Sequence, residues 1–243
     1  MNQYLVELRL EGFRGLVDQR LKEARKNGLS HDEFLNLVLY DEIQHRREKK
    51  KDRLQKAATF KIKASLENID YKTQRGLSKK SLSDLSSCRF IEDSMNINIF
   101  GPTGVGKSYL ACAIGRSACS NGFTTLFFSI NKLLEQVALA RAQGRYLLLL
   151  KRLTNTSLLI LDDFGIKPLI PAQYQDLFDI IDERYEGKST IITSQVPPEN
   201  WAEIIDDPVV CEAITDRLTS KAYTFRLDGD SQRKKHKSNA RER

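Results

Sequence analysis

The chain has 243 residues, 40% hydrophobic and 29% charged, which suits one full α/β domain with a small appendage or two small domains and argues against wholesale disorder. Lys and Arg total 39 against 32 Asp and Glu, a formal charge of +7. The four cysteines (Cys88, Cys112, Cys119, Cys211) form no CxxC pair or Cys/His cluster, which argues against structural zinc and suits reduced thiols in a cytoplasm.

No apolar run nears the roughly 20 residues of a bilayer span, and Glu7 and Arg9 interrupt the first ten residues, so no signal peptide or membrane partner is expected. The first sixty residues read as helical. Leu5, Leu8, Phe13, Leu16 and Leu21 are roughly helically spaced, and Gly28 marks a break. Ser30 with Glu33 three residues on is a capping-box pattern. The next helix carries Phe34, Leu35, Leu37, Val38 and Ile43, then turns strongly basic as RREKKKDRLQKAATFKIK from Arg46 to Lys63. Residues 1–60 are therefore expected to form a small helical DNA-binding or interaction domain, joined by a polar connection (61–94) to the remainder of the chain. Arg46, Arg47, Lys49, Lys50, Lys51 and Arg53, with the tail RKKHKSNARER, cluster as expected for a phosphate-backbone partner. A merely solvated basic face gives the same pattern.

From Met95 short apolar runs alternate with amphipathic helices. Asn96–Phe100, Thr124–Ser129, Ser157–Leu161, Ser189–Thr193 and Tyr223–Leu227 read as strands. Helices are expected from about Lys107 to Asn121, through Leu133, Leu134, Val137 and Ala138, and from Ala172 to Tyr185. Strand–helix alternation means βαβ units, a parallel sheet with helices on both faces, over residues 95–230, with a basic tail at 231–243.

Between the first strand and its helix stands GPTGVGKS, Gly101–Ser108, a P-loop match in the required context. Gly101, Gly104 and Gly106 permit the backbone angles that wrap N–H groups around phosphates, with Pro102, Thr103 and Val105 between them and Tyr109 just beyond. Lys107 reaches the β- and γ-phosphates of ATP, and the Ser108 hydroxyl ligates Mg²⁺. LLILDDFG comes next, with Asp162 55 residues after Lys107. An apolar strand ending in acids puts Asp162 beside the P-loop, where it can hold the magnesium shell. Asp163 is then placed to orient or deprotonate the attacking water. A lone Asp pair also reads as acids capping the next turn. Thr193, Ser194 and Gln195 end a strand at the same edge. Downstream, Val210, Ile214 and Leu218 make a helical seam with Arg217 at its edge, where no buried acid in the nearby sequence offers it a partner. Arg233 lies just past the last strand. Arg141 and Arg145 could assist DNA binding from the core.

The P-loop, DDFG, TSQVP, DPVVCEAITDRL and GDSQRK together resemble the IstB-like transposition helper ATPases of insertion sequences. Those are relatives of the DnaC-type helicase loaders within the AAA+ superfamily. The resemblance extends over nearly the whole chain, including LSHDEFLNLVLYDEIQHRREKK. It implies a parallel sheet of order 5-1-4-3-2 with a helical N-terminal domain and little or no C-terminal lid. It also implies a γ-phosphate sensor at Gln195, an arginine finger at Arg217 that enters a neighbour's site, and a second sensor at Arg233. The implied partners are duplex DNA, an integrase-type transposase and further copies of the chain in an ATP-dependent oligomer. Asp163 stands where AAA+ proteins usually carry Glu, so slow, DNA-stimulated hydrolysis is expected. A replicative helicase loader, a small-molecule kinase and a non-hydrolysing ATP-binding module are the other readings.

Overall fold

Apolar runs bounded by turn residues and separated by amphipathic segments leave the backbone few ways to satisfy its hydrogen bonds, and a parallel sheet wrapped in helices is the result. The structure, a computed structural model, describes residues 2–69, 77–229 and 231–232. The chain divides into two units, Met1–Arg53 and Leu54–Arg243, and the division falls inside one long helix.

The first unit consists of α1 (Asn2–Glu7), α2 (Glu11–Asn27) and most of α3 (His31–Ala58). The single early helix suggested by the leucine spacing is interrupted at Arg9, whose φ is +55°. The kink leaves Leu8 exposed, while Leu5, Phe13, Val17 and Val38 form a small core with Leu10, Leu21 and Phe34 against it. The capping box is present: the Ser30 N–H donates to Glu33 Oε2 (2.8 Å) and the Glu33 N–H donates to Ser30 Oγ (3.3 Å). Glu42, from α3, closes the start of α2 by accepting from the N–H groups of Gly12 (2.8 Å) and Phe13 (3.2 Å). Its other oxygen accepts from Arg46 Nε (2.7 Å). Gly12 is required there, because an added Cβ would lie 2.5 Å from His45 Cβ. Arg20 forks onto both oxygens of the buried Asp41 (2.6 and 2.8 Å).

In the second unit, the stretch expected to be a polar connection contains α4 (Lys79–Ser86) and α5 (Arg89–Glu92). It buries Ala64, Ile69, Leu82, Leu85, Phe90 and Ile91 in the same cluster as the sheet. Its apolar residues are spaced too widely to register as an element in the sequence, yet they are core. The chain then alternates: β1 (Asn96–Phe100), α6 (Lys107–Ser120), β2 (Thr125–Ser129), α7 (Ile130–Ala142), α8 (Tyr146–Asn155), β3 (Leu158–Phe164), α9 (Pro171–Asp182), β4 (Ser189–Ser194), α10 (Pro208–Thr219) and β5 (Ala222–Arg226). All pairings are parallel, in the order β2-β3-β4-β1-β5, which is the 5-1-4-3-2 order expected.

Strand alternation divides the core between the two faces. Leu158 and Ile160 pack with Ile97, Ile99, Ile191 and the apolar side of α6. Leu159 and Leu161 pack with Ile192 and with α7, α9 and α10 through residues such as Leu133, Leu177, Ile180 and Ile214. Arg184 ties α9 back to the sheet by donating to the carbonyls of Leu153 (2.5 Å), Thr156 (2.8 Å) and Ser189 and to Thr190 Oγ1 (3.1 Å). Burial pulls its pKa down to about 9. All four cysteines are buried, and burial pushes the thiols of Cys88, Cys112 and Cys119 up. That keeps them protonated and unreactive at neutral pH. Among the described residues no helix is long and apolar enough to cross a membrane.

The Glu42 cap is testable. Burial raises its pKa, but the hydrogen bonds from Arg46, Phe13 and Gly12 outweigh that and hold it below the usual carboxylate range. A depressed carboxylate stabilises the fold above its unfolded pKa, and the contribution disappears as pH falls through the folded value. Glu42→Gln is expected to cost about 1 kcal/mol at pH 7. The difference from the parent should shrink below about pH 4. Denaturant unfolding of the full chain, followed by circular dichroism at both pH values, reads both effects.

Candidate nucleotide-binding site

β1 ends at Phe100, and the chain turns through a glycine-rich loop into α6, whose first residue is Lys107. Gly101 has φ +148° and passes so close to the chain leaving β5 that a Cβ would lie 2.1 Å from the Leu227 carbonyl oxygen. Gly106, at φ +108°, makes the turn that starts α6. The result is a helix N-terminus, with its unsatisfied N–H groups and positive partial charge, facing a cavity of about 770 Å³.

The loop is held from several sides. Lys107 is buried, and its Nζ donates to the carbonyls of Gly101 (2.6 Å) and Pro102 (2.9 Å), so its charge is stored inside the loop that would take the phosphates. Val105 is buried beneath the loop. Thr103 Oγ1 donates to Gln195 Oε1 (2.8 Å), which draws the end of β4 over the loop. The Gln232 N–H donates to the Gly104 carbonyl (2.9 Å), bringing the chain beyond β5 to the same place. Tyr109 lines the cavity, and its hydroxyl accepts a long hydrogen bond from the Ser65 N–H (3.5 Å).

Asp162 is wholly buried at the end of β3. Its Oδ1 accepts from Ser108 Oγ (2.8 Å) and from Thr193 Oγ1 (2.6 Å). Thr193 Oγ1 in turn accepts from the Asp163 N–H (3.0 Å). Neighbours on a regular strand point to opposite faces. Here the β3–β4 register slips between Leu161 and Phe164, and Asp163 takes φ +65°. This irregularity lets both acids face one cation, Lys61, whose Nζ lies 3.7 Å from Asp162 Oδ2 and 3.4 Å from Asp163 Oδ2. Asp162 Oδ2 has no hydrogen bond among the described residues. A buried carboxylate oxygen left without a donor, beside a hydroxyl on the P-loop helix, fits a hard divalent cation that takes its other ligands from phosphate and water. Ser108 and Asp162 are the residues that would hold Mg²⁺.

Arg217 lies elsewhere. Asn96, the first residue of β1, donates from Nδ2 to the Arg217 carbonyl (2.9 Å), which fixes Arg217 at the edge of the sheet opposite the P-loop. The length of β1, about 15 Å, separates the two. Arg217 also has an acid that the nearby sequence did not suggest. Its Nε donates to the partly exposed Asp182 on α9 (2.6 Å) and its Nη1 to the Ala213 carbonyl (3.0 Å), with the Phe178 ring 4.9 Å below. Arg233 lies outside the described residues.

The basic residues expected to meet DNA divide into two sets. Arg46 pairs with Glu42, Lys49 with Glu11 and Lys51 with Glu48. Arg141 donates to Asp176 (2.8 Å) and lies over the Tyr146 ring, so its charge is used within the fold. Arg47, Lys50, Arg53 and Arg145 are exposed and make no ion pair among the described residues.

Sequence reasoning missed Lys61, Ile62, Asn68, Ile69 and Leu77, which reach the acids or line the cavity from the stretch before β1. The available signal was a set of spaced apolar residues just upstream of a P-loop strand.

Residues 3–240 match the family described as IstB-like ATP binding protein. An insertion sequence ATP-binding protein of Sinorhizobium fredii is 38% identical over 225 residues, 93% of this chain and 92% of that one. The ATP-binding protein of insertion sequence IS21 from Pseudomonas aeruginosa is 32% identical over 97% of this chain and 89% of its own. Among solved structures, the DnaC helicase loader superposes with a TM-score of 0.58 at 22% identity, covering 68% of this chain and 97% of that chain, a likeness of fold. The chain belongs to the IstB-like ATP-binding family, and its core has the AAA+ P-loop fold.

Removing the stored cation is the direct test of the site. Lys107→Ala is expected to weaken ATP binding by about 10- to 100-fold, the value of a charge-assisted hydrogen bond to phosphate. Isothermal titration calorimetry with unchanged affinity would show that the phosphates bind elsewhere.

Proposed function

We propose that this member of the IstB-like family is a Mg²⁺-dependent ATPase that assembles on duplex DNA when ATP is bound and recruits or stimulates an integrase-type transposase. The placement of Arg217 carries the reading. A long, permanently charged side chain at the edge opposite the P-loop is too far from its own nucleotide, and its partly exposed pairing with Asp182 can be exchanged for a neighbour's phosphate. ATP then joins two copies, with Lys107, Ser108 and Asp162 from one and Arg217 from the next. Asp163 orients or deprotonates the attacking water, and Gln195, held by Thr103, senses the γ-phosphate. Asp163 is one methylene shorter than Glu, which favours slow turnover that DNA accelerates by ordering the copies. The insertion-sequence relatives, matched along most of the chain, support transposition over helicase loading. A transposase reading frame adjoining the gene would agree with it, and a replication gene there would favour a loader.

The N-terminal unit is the proposed DNA contact. The basic residues of α3 lie on adjoining turns, where they can follow phosphates without reading bases. Of these, Arg47, Lys50 and Arg53 are the ones without acid partners among the described residues and should contribute most. Neutralising these three together is expected to flatten the slope of log affinity against log salt by about 2 to 3 units. Neutralising Arg46, Lys49 and Lys51 should change it less. Fluorescence anisotropy with duplex DNA over a salt series reads both, and equal effects would mean that the pairing with Glu42, Glu11 and Glu48 does not persist on DNA.

Mixing variants tests the shared site. Arg217→Ala should bind ATP as the parent does yet lose DNA-stimulated hydrolysis, roughly 10³-fold by the usual value of an arginine finger. Lys107→Ala retains Arg217. A mixture of the two should recover part of the DNA-stimulated activity, since some interfaces combine an intact P-loop with an intact Arg217. If the mixture does no better than either variant alone, although both fold and bind DNA, each subunit completes its own site and the proposal fails.

A further inference from the structure

Lys61 enters the site from outside every motif that defines it. It belongs to the stretch before β1, 102 residues from Asp163 in sequence. The backbone on either side is fixed. Phe60 packs so closely on α6 that a Cβ on Gly115 would lie 2.6 Å from its ring, and the ring meets Phe127 edge-on at 6.5 Å. On the other side Ile62 packs against the sheet cluster and Ala64 is buried in it. Anchored between these, Lys61 projects a half-exposed chain whose ammonium reaches Asp162 Oδ2 and Asp163 Oδ2 together.

We propose that Lys61 is a positioning residue of the nucleotide site, a tethered cation that holds Asp162 and Asp163 before the metal arrives and competes with Mg²⁺ for them. A wholly buried carboxylate is costly without a counter-charge or a donor, and Asp162 Oδ2 has no hydrogen bond among the described residues. Lys61 supplies the charge at a distance too long for a strong hydrogen bond, so the contact is readily given up. A divalent ion at Ser108 and Asp162 repels an ammonium a few ångströms away, and four methylenes on an exposed chain let the ammonium withdraw without moving Phe60 or Ile62. Lys61 therefore stabilises the acids when the site lacks metal and raises the Mg²⁺ concentration at which nucleotide binds.

This inference rests on the Mg²⁺–ATP reading of the P-loop, and the experiment separates the two. The probe is a fluorescent ATP analogue titrated with Mg²⁺ from a chelated baseline, for the parent, Lys61→Met and Lys61→Arg. Lys61→Met keeps the length and removes the charge. It should lower the half-saturating Mg²⁺ concentration by about two- to fivefold, as expected for loss of a partly exposed ion pair. It should also lower the melting temperature of the nucleotide-free protein in chelator. Lys61→Arg should restore both towards parental values. A parent with no Mg²⁺-dependent binding overturns the reading of the site itself. If Mg²⁺-dependent binding is present in all three but the half-point of Lys61→Met is unchanged or higher, the competition is refuted. If Lys61→Met loses thermal stability but Lys61→Arg does not recover it, the side chain matters for packing rather than charge, and the proposal also fails.

Discussion

Asp162 is the constraint on which the site depends. A carboxylate with no solvent exposure persists only if its oxygens are satisfied, and one of them is, by Ser108 from the P-loop helix and Thr193 from the neighbouring strand. Those two bonds join β3, β4 and α6 at one point. The second oxygen has no hydrogen bond among the described residues and looks towards Lys61. The irregular backbone at Asp163 answers the same requirement, since only a broken alternation turns two successive acids to one side.

The sheet makes this arrangement rigid. Each strand gives alternate residues to two cores, so moving the end of β3 would disturb both clusters. Arg184 reinforces the far end, where its buried guanidinium closes the end of α9 onto carbonyl groups. The P-loop and Arg217 thus sit at opposite edges of one stiff layer. Under the proposed function these are two faces for the same chemistry, one that holds a nucleotide and one whose Arg217 exchanges Asp182 for a neighbour's phosphate.

Charge is divided in a similar way. Along α3 the basic run alternates with acids from its own helix and from α2, so half of the candidate DNA contacts are already partnered. Arg141 is engaged with Asp176 and Tyr146. Net charge therefore overstates the cations available to a polyanion, and the unpaired ones are a better measure of the surface.

Much of this was legible in the sequence. The P-loop, the acids after an apolar strand, the five strands and the Ser30–Glu33 cap all rest on local spacing, which survives any tertiary arrangement, whereas the strand order was implied by the family resemblance. Other features depended on contacts between residues far apart in the chain. The stretch before β1 looked polar because its apolar residues are scattered, and only packing against α6 and the sheet makes them core. The kink at Arg9 breaks a leucine spacing that reads as continuous. Asp182 reaches Arg217 from 35 residues earlier, and Lys61 reaches Asp163 across 102. A sequence states which groups exist and how they repeat. Which cation meets which acid was decided by the fold, because a few ångströms of Coulomb attraction act between neighbours in space whatever their distance along the chain.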